Sequence, residues 1–404
     1  MNKDLETIDF SGDFPGLSYQ IDGEPVFYLD NAATTLKPKA MVDAVNEYYL
    51  GVSSNVHRGK SYALEMVSNR YEEARYKVAD LLSCSGNEIV FLRNTTESIN
   101  LVAKGLQLDK SDKVIVFSDA HHSNLLPWMN EASIECVRTN PQGGLDLEHY
   151  YELLKSQPKV VSINHCSNVT GGYCPLESMV RAAKDVGAIV VVDAAQSVPH
   201  RRVNVSELDI DFLTFSAHKM LGPTGVGVLF GKKAMLESLT PQLLGGGMVD
   251  WVEKDHFNLR KIPHRFEAGT PHIAGAYGMA AAIDYLNQIG FDNLEHHDRQ
   301  TSEYMLSLAK KREFLEIINT DESADRGAVL SMSIRGQKEL DDVARALSDS
   351  YGIICRTGHL CAQPYVSDVG VGQVLRISSY FYNKRTDIDR FFDALDEIST
   401  YMFY

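Results

Sequence analysis

No two of the six cysteines (Cys84, Cys136, Cys166, Cys174, Cys355 and Cys361) form a C-x-x-C pair, which removes zinc ribbons and thioredoxin-type motifs. Basic patches and tails are also missing. There are 39 Lys and Arg against 54 Asp and Glu, a net charge of −15. That balance argues against nucleic acid, whose phosphates need clustered cations, and against an anionic membrane surface. No apolar run approaches a membrane span; the longest, such as Ala188–Val192 and Gly278–Ile283, are far too short. Met1–Phe10 is acidic and lacks an apolar centre, so neither a signal nor a transit peptide is expected. The cytoplasm is the expected compartment, and the cysteines are expected as thiols, mostly small buried hydrophobes. Repeats, low-complexity tracts and Gly/Ser linkers are absent.

What is present is an ordinary globular composition: 404 residues, 44% apolar and 23% charged, enough for a large core and two domains. From about residue 65 to 290, helix-like and strand-like segments alternate. Glu65–Leu82, Glu97–Leu106, Asn124–Ala132 and Leu176–Val186 carry helical spacing, the last closed by Gly187. Between and after them, Glu88–Leu92, Lys113–Phe117, Lys159–Ile163, Ala188–Val192, Phe212–Phe215 and Gly227–Phe230 are short apolar strands. Such a series predicts βαβ units in a doubly wound α/β sheet, mostly parallel, with ligands at the carboxyl ends of the strands. After residue 291 the pattern changes to helices Asn293–Lys311, Leu340–Tyr351 and Thr386–Tyr401 with strands Val329–Ile334, Ile353–Arg356 and Val374–Ser378. The expected division is a large domain over 21–290 and a smaller α+β domain over 291–404 joined by residues 1–20.

Five segments carry chemistry. In Asp211–Gly227 a buried strand ends at Ser216, and Lys219 follows on a glycine-rich turn. Burial lowers a lysine's pKa, and the neutral amine is competent to form a Schiff base; an exposed turn lysine is the plainer alternative. Ser216 and His218 offer hydrogen bonds suited to a phosphate. Asp193 closes an apolar strand, where a carboxylate needs a partner such as a pyridinium N–H, or else caps the next turn. Thr95 and Thr96 open a helix whose free N–H groups favour an anion, although a capping box built on Thr96 explains them equally. His121, past the Lys113–Phe117 strand, is placed to stack on an aromatic cofactor and carry protons. His296 and His297 read as solvated rather than as ligands, and so do His149, His256 and His264. Finally, Cys361 lies in a loop between Gly358 and Pro364, where exposure and nucleophilicity are plausible. Arg376 suits a carboxylate, with a structural salt bridge the better reading for a lone arginine.

Together these segments resemble the class V aminotransferases, which use pyridoxal 5′-phosphate, and among them the SufS/selenocysteine-lyase-like (group II) cysteine desulfurases. The resemblance runs from Tyr28-Leu-Asp-Asn-Ala-Ala-Thr through Asn55-Val-His-Arg-Gly to Arg376. Its most specific parts are Ser216-Ala-His-Lys with Gly222-Pro-Thr-Gly-Val-Gly, Arg265-Phe-Glu-Ala-Gly-Thr-Pro and Arg356-Thr-Gly-His-Leu-Cys-Ala-Gln-Pro. It implies a fold-type-I enzyme in which Lys219 holds the cofactor as a Schiff base. Asp193 then pairs with the ring nitrogen, Gln196 with the phenolic oxygen, and His121 stacks on the ring. Thr95, Thr96, Ser216 and His218 are implied at the phosphate, with Thr270 arriving from the second subunit of a homodimer. Asn168 and Arg376 are implied at the substrate carboxylate, with Ala33, His57 and Arg356 lining the pocket. Cys361 is implied as the residue that attacks the sulfur of L-cysteine, leaving L-alanine and a persulfide for an acceptor protein. No metal is implied. Leu360 stands where many relatives carry a second histidine, Asp119 where a Glu is frequent and Ala217 where a Gly is frequent. The alternatives are a selenocysteine or cystine lyase, or an aminotransferase, that does not use Cys361. A silent scaffold is disfavoured by Lys219, Asp193 and Cys361. A dinucleotide enzyme is disfavoured because no G-x-G-x-x-G follows the early strands.

Overall fold

The computed structural model describes residues 5–57, 59–321 and 325–403. Its centre is a seven-stranded sheet of β1 (Ile89–Leu92), β2 (Lys113–Phe117), β3 (Ser133–Val137), β4 (Val160–Asn164), β5 (Ile189–Asp193), β6 (Phe212–Ser216) and β7 (Gly227–Gly231). The spatial order is β1-β7-β6-β5-β4-β2-β3. Only β7 runs antiparallel to its neighbours. Alternate residues feed two cores: Ile115 and Phe117 enter one, Val114 and Val116 the other. Strands buried on both faces carry apolar residues on each, which is why the inner strands read as nearly continuous apolar runs, while the edge strand β3, Ser-Ile-Glu-Cys-Val, does not.

Helices α1 (Lys39–Leu50), α2 (Tyr62–Leu82), α3 (Thr95–Gly105), α4 (Leu176–Asp185) and α5 (Ile273–Ile289) surround this sheet. Neither α1 nor α5 was expected. The α5 sequence is rich in Gly and Ala and buried on most sides, so it shows little one-sided periodicity. A Cβ at Gly278 would come within 2.8 Å of Val45 and 3.1 Å of Met41, so the missing side chain lets α1 approach.

The second unit is an antiparallel sheet of β8 (Leu315–Ile317), β9 (Val329–Ile334), β10 (Arg356–Gly358) and β11 (Val374–Ser378), in the order β8-β9-β11-β10. Its core is shared with α6 (Phe291–Ala309), α7 (Asp341–Tyr351) and α8 (Arg385–Met402). The single strand expected over Ile353–Arg356 is in fact two. Ile353–Ile354 pairs in parallel with Phe27–Tyr28, and the chain then crosses to pair Arg356–Gly358 with β11. Residues 27–29 therefore pair and pack with the smaller unit. The N-terminal segment touches both units: Glu6 pairs with Arg385 at 2.9 Å, while Phe10 and Phe14 join the larger core beside Phe381 and Tyr382.

Three smaller expectations are corrected. The helix expected over Asn124–Ala132 is a 3-10 turn, His122–Asn124, followed by Leu126–Glu131, because Pro127 has no N–H to continue a helix from the turn. His297 is buried, not solvated, and its Nε2 lies 3.3 Å from Thr301 Oγ1. Of the cysteines only Cys166 is fully buried, Cys136 and Cys361 are exposed, and all six are free thiols. Among the described residues no helix is long and apolar enough to cross a membrane.

Candidate active site

The carboxyl ends of β2, β4, β5 and β6 open into a cavity of about 390 Å3. All the site residues expected from the sequence line it except His57 and Thr270. The topology explains the gathering. Parallel strands end on one edge, so Asp193, the last residue of β5, sits beside Asn164 of β4 and Thr214 of β6. Lys219 follows within one 3-10 turn of the end of β6.

That turn is gripped from the N-terminal segment. The carbonyl of His218 accepts from Thr35 N (3.2 Å), Thr34 Oγ1 (2.9 Å) and Lys37 Nζ (2.7 Å). Burial draws the Lys219 amine down to about 8, with Asp193 opposing the shift. Asp193 is buried, and burial raises its carboxyl above the usual range despite the bond it accepts from Ala195 N. Among the described residues no cation lies within 4.0 Å of it to form an ion pair. Gln196 gives one N–H to Ala32 O at 2.7 Å and keeps the other. Desolvation brings both His121 and His218 down to about 4, so both imidazoles are neutral at pH 7.

The opposite end of the cavity is the N-terminus of α3. Its cap is Asn94, whose side chain accepts from Glu97 N, so the helix is capped two residues before Thr96 and the capping box expected there does not form. This leaves the threonine hydroxyls free for other partners. Thr95 Oγ1 lies 2.8 Å from Ser216 Oγ, and Thr96 Oγ1 lies 2.7 Å from Ser123 Oγ. Gly227 makes the arrangement possible, because a Cβ there would fall 2.4 Å from Asn94 Cα. Hydroxyls and free N–H groups at the positive end of a helix suit a phosphate.

The smaller unit closes the cavity with the Cys361 loop. Leu360 and Cys361 both have left-handed backbones, φ 53° and 56°, a strained geometry for residues with a Cβ. Three contacts hold it. Asn168 Nδ2 donates to Leu360 O (2.9 Å), His122 N donates to Cys361 O (2.8 Å), and Leu360 is buried against Val169, Ile318 and Tyr365. A leucine here thus anchors the loop while the next side chain, Cys361, stays exposed. Arg376 is buried and donates to Asp30 (2.8 Å) and to Asn168 O (2.9 Å), leaving its Nε without a partner. Arg356, half exposed, pairs with the same Asp30 at 2.7 Å. Asp30 was not singled out from the sequence. A lone Asp in Tyr28-Leu-Asp-Asn gives no sign that it serves two arginines more than 300 residues away.

His57 and Thr270 instead line a separate cavity of about 140 Å3, where Asn55 Nδ2 donates to Thr270 Oγ1 at 3.2 Å. Arg58, within the Asn55-Val-His-Arg-Gly motif, lies outside the described residues.

This constellation has clear relatives. Residues 27–391 match the model of the family described as Aminotransferase class-V. The chain belongs to that family. It is 39% identical to a probable cysteine desulfurase of Streptomyces coelicolor, over 98% of each chain. Among solved structures, it resembles a cysteine desulfurase of Thermococcus onnurineus NA1 at a TM-score of 0.90 and 37% identity, covering 99% of this chain and 100% of that one. The cysteine desulfurase CsdA of Escherichia coli gives 0.87 and 36%, with 96% and 97% covered. The doubly wound, fold-type-I architecture expected from the sequence is therefore the one found.

Proposed function

We propose that the protein is a pyridoxal-phosphate-dependent cysteine desulfurase, which converts L-cysteine to L-alanine and retains the sulfur as a persulfide on Cys361. The observation that carries this reading is one cleft lined by a half-buried lysine whose amine is desolvated, a buried aspartate without a cation partner, and an exposed cysteine. The residues present fit the cofactor. Asp193 lacks a cationic partner that a protonated ring nitrogen would supply, and the Thr95, Thr96 and Ser216 hydroxyls at the α3 N-terminus suit its phosphate. Gln196 retains a donor for the phenolic oxygen, and the His121 ring is neutral and available for stacking.

When bound, the cofactor supplies the aldehyde that captures the substrate amine and the electron sink for the charge left at Cα. The chain's own residues do the rest. Arg376, whose Nε has no partner, receives the substrate carboxylate, and Asp30 and Asn168 fix its plane. Lys219 Nζ, neutral once released, takes the Cα proton. Cys361 Sγ, as thiolate, attacks the substrate sulfur: the new S–S bond forms as the Cβ–S bond breaks, and the three-carbon product gains protons to become alanine. Arg356 lies close enough for its charge to act on Cys361. Exposure of Cys361 supports onward transfer to an acceptor protein in sulfur metabolism such as iron–sulfur cluster assembly, within the cytoplasm. A homodimer is supported by Thr270, which lines a cavity apart from its own chain's cleft.

Cys361→Ala tests the reading. Alanine formation from L-cysteine should fall to background while the yellow absorbance of the bound cofactor persists. Undiminished alanine production would reject the desulfurase mechanism. Alanine from L-selenocysteine alone would instead support the lyase reading.

A further inference from the structure

Outside the cleft, two clusters among the described residues bring three potential ligand atoms within 4.8 Å of one another. One of them, Glu253, Asp255 and His256, is fully exposed and has no second feature to recommend it. The other is His57, Glu72 and His264, drawn from the loop after α1, from α2 and from the 3-10 turn before α5. We infer that these three residues form a binding site for a divalent first-row transition ion, with Zn2+ as the reference ion.

The donor set is two imidazoles and one carboxylate, a combination that suits such ions and leaves a position open. His57 Nε2 already lies 3.2 Å from Glu72 Oε1, and the two imidazole rings are 4.9 Å apart. Bonds of about 2.0–2.1 Å in a tetrahedron place ligand atoms about 3.3 Å apart, so modest side-chain rotation closes the site. The backbone of His57 is left-handed (φ 61°), and strained residues of this kind gather where side chains must be aimed.

Arg75 donates to both Glu72 and Glu267, at 2.8 and 2.6 Å, and so fixes the carboxylate nearest the two imidazoles. Around these groups Arg75 Nε donates to Glu72 Oε2 at 2.8 Å, and Glu267 Oε2 lies 3.9 Å from His264 Nδ1. The cavity of about 140 Å3 beside His57 and His264 has room for a water as a fourth ligand. A bound ion would tie His57 to α2 and to the segment that carries Thr270.

The test is titration of the chelator-treated holoenzyme with ZnCl2. One ion should bind per chain, with X-ray absorption showing only nitrogen and oxygen neighbours at about 2.0–2.1 Å. His264→Ala and, independently, His57→Ala should weaken binding by about 100-fold or more, and Glu72→Gln by about tenfold. Zn2+ should raise the melting temperature of the wild type but not of His264→Ala, whose circular dichroism should match the wild type. Should His264→Ala fail to fold, His57→Ala carries the same reading, because His57 is itself solvent-exposed. No binding, sulfur neighbours at about 2.3 Å, or unchanged affinity in the histidine variants overturns the inference.

Discussion

The molecule buries charge in two places and treats it differently. Around Arg75, whose side chain is 2% exposed, both oxygens of Glu267 are met at 2.6 and 2.9 Å, and Ile89 O, Phe91 N and Glu72 complete the network. Around Lys219, opposite charges share one cleft without closing into a pair, and burial shifts both groups toward neutrality. A buried ion with every partner supplied braces the fold. A buried ion left partly unmet stores electrostatic free energy that a ligand can release on binding. Arg376 falls between the two: it lines the cleft and is anchored by Asp30, yet its Nε has no partner. The contrast separates residues that hold α2 to the sheet from residues that act on a substrate.

Substitution can break this contrast directly. Lys219→Ala should lower alanine formation by about 10⁴-fold, the upper range for loss of a positioned base, with the urea midpoint nearly unchanged. A large loss of stability would mean that the amine braces the fold after all. Arg75→Met should do the reverse. Removing one partner of a buried ion network strands the others, so unfolding free energy should drop by about 3–5 kcal/mol in urea titration. The kcat of the molecules that remain folded should stay near wild type. A neutral effect of Arg75→Met on stability would erase the distinction.

The sequence made one side of this comparison much more legible than the other. Buried strands announce themselves as apolar runs, and Lys113–Phe117 of the parallel sheet and Val329–Ile334 and Val374–Ser378 of the antiparallel one have the bounds expected from the sequence. Parallel strands share the edge where their carboxyl ends lie, so Asp193, Ser216 and Lys219, each at or just past such an end, fall in one region. Helix α5 could not be seen, because a helix buried on most sides has no polar face to create a period. Asp30 and Lys37 were missed for a different reason. Each is one residue in an extended segment, and its meaning lies in partners near residues 356, 376 and 218. The Arg75 network was equally hidden, since Glu267 lies 192 residues away. Local pattern reports burial. It does not report which distant charge a buried charge will meet.

The gentlest test of the comparison uses pH. Uptake of pyridoxal phosphate by cofactor-stripped protein requires the neutral Lys219 amine, which burial holds at about 8. The neutral fraction falls about tenfold for each pH unit below that value, so the uptake rate should rise about 50-fold from pH 6 to pH 8 and level off above it. Stopped-flow absorbance of the bound cofactor reads this rate. Asp193 raises the amine's pKa and Arg376 lowers it. Asp193→Asn should therefore move the whole profile to lower pH. A profile that stayed in place would mean that the two groups do not sense each other across the cleft, and that the unpaired aspartate owes its position to packing alone.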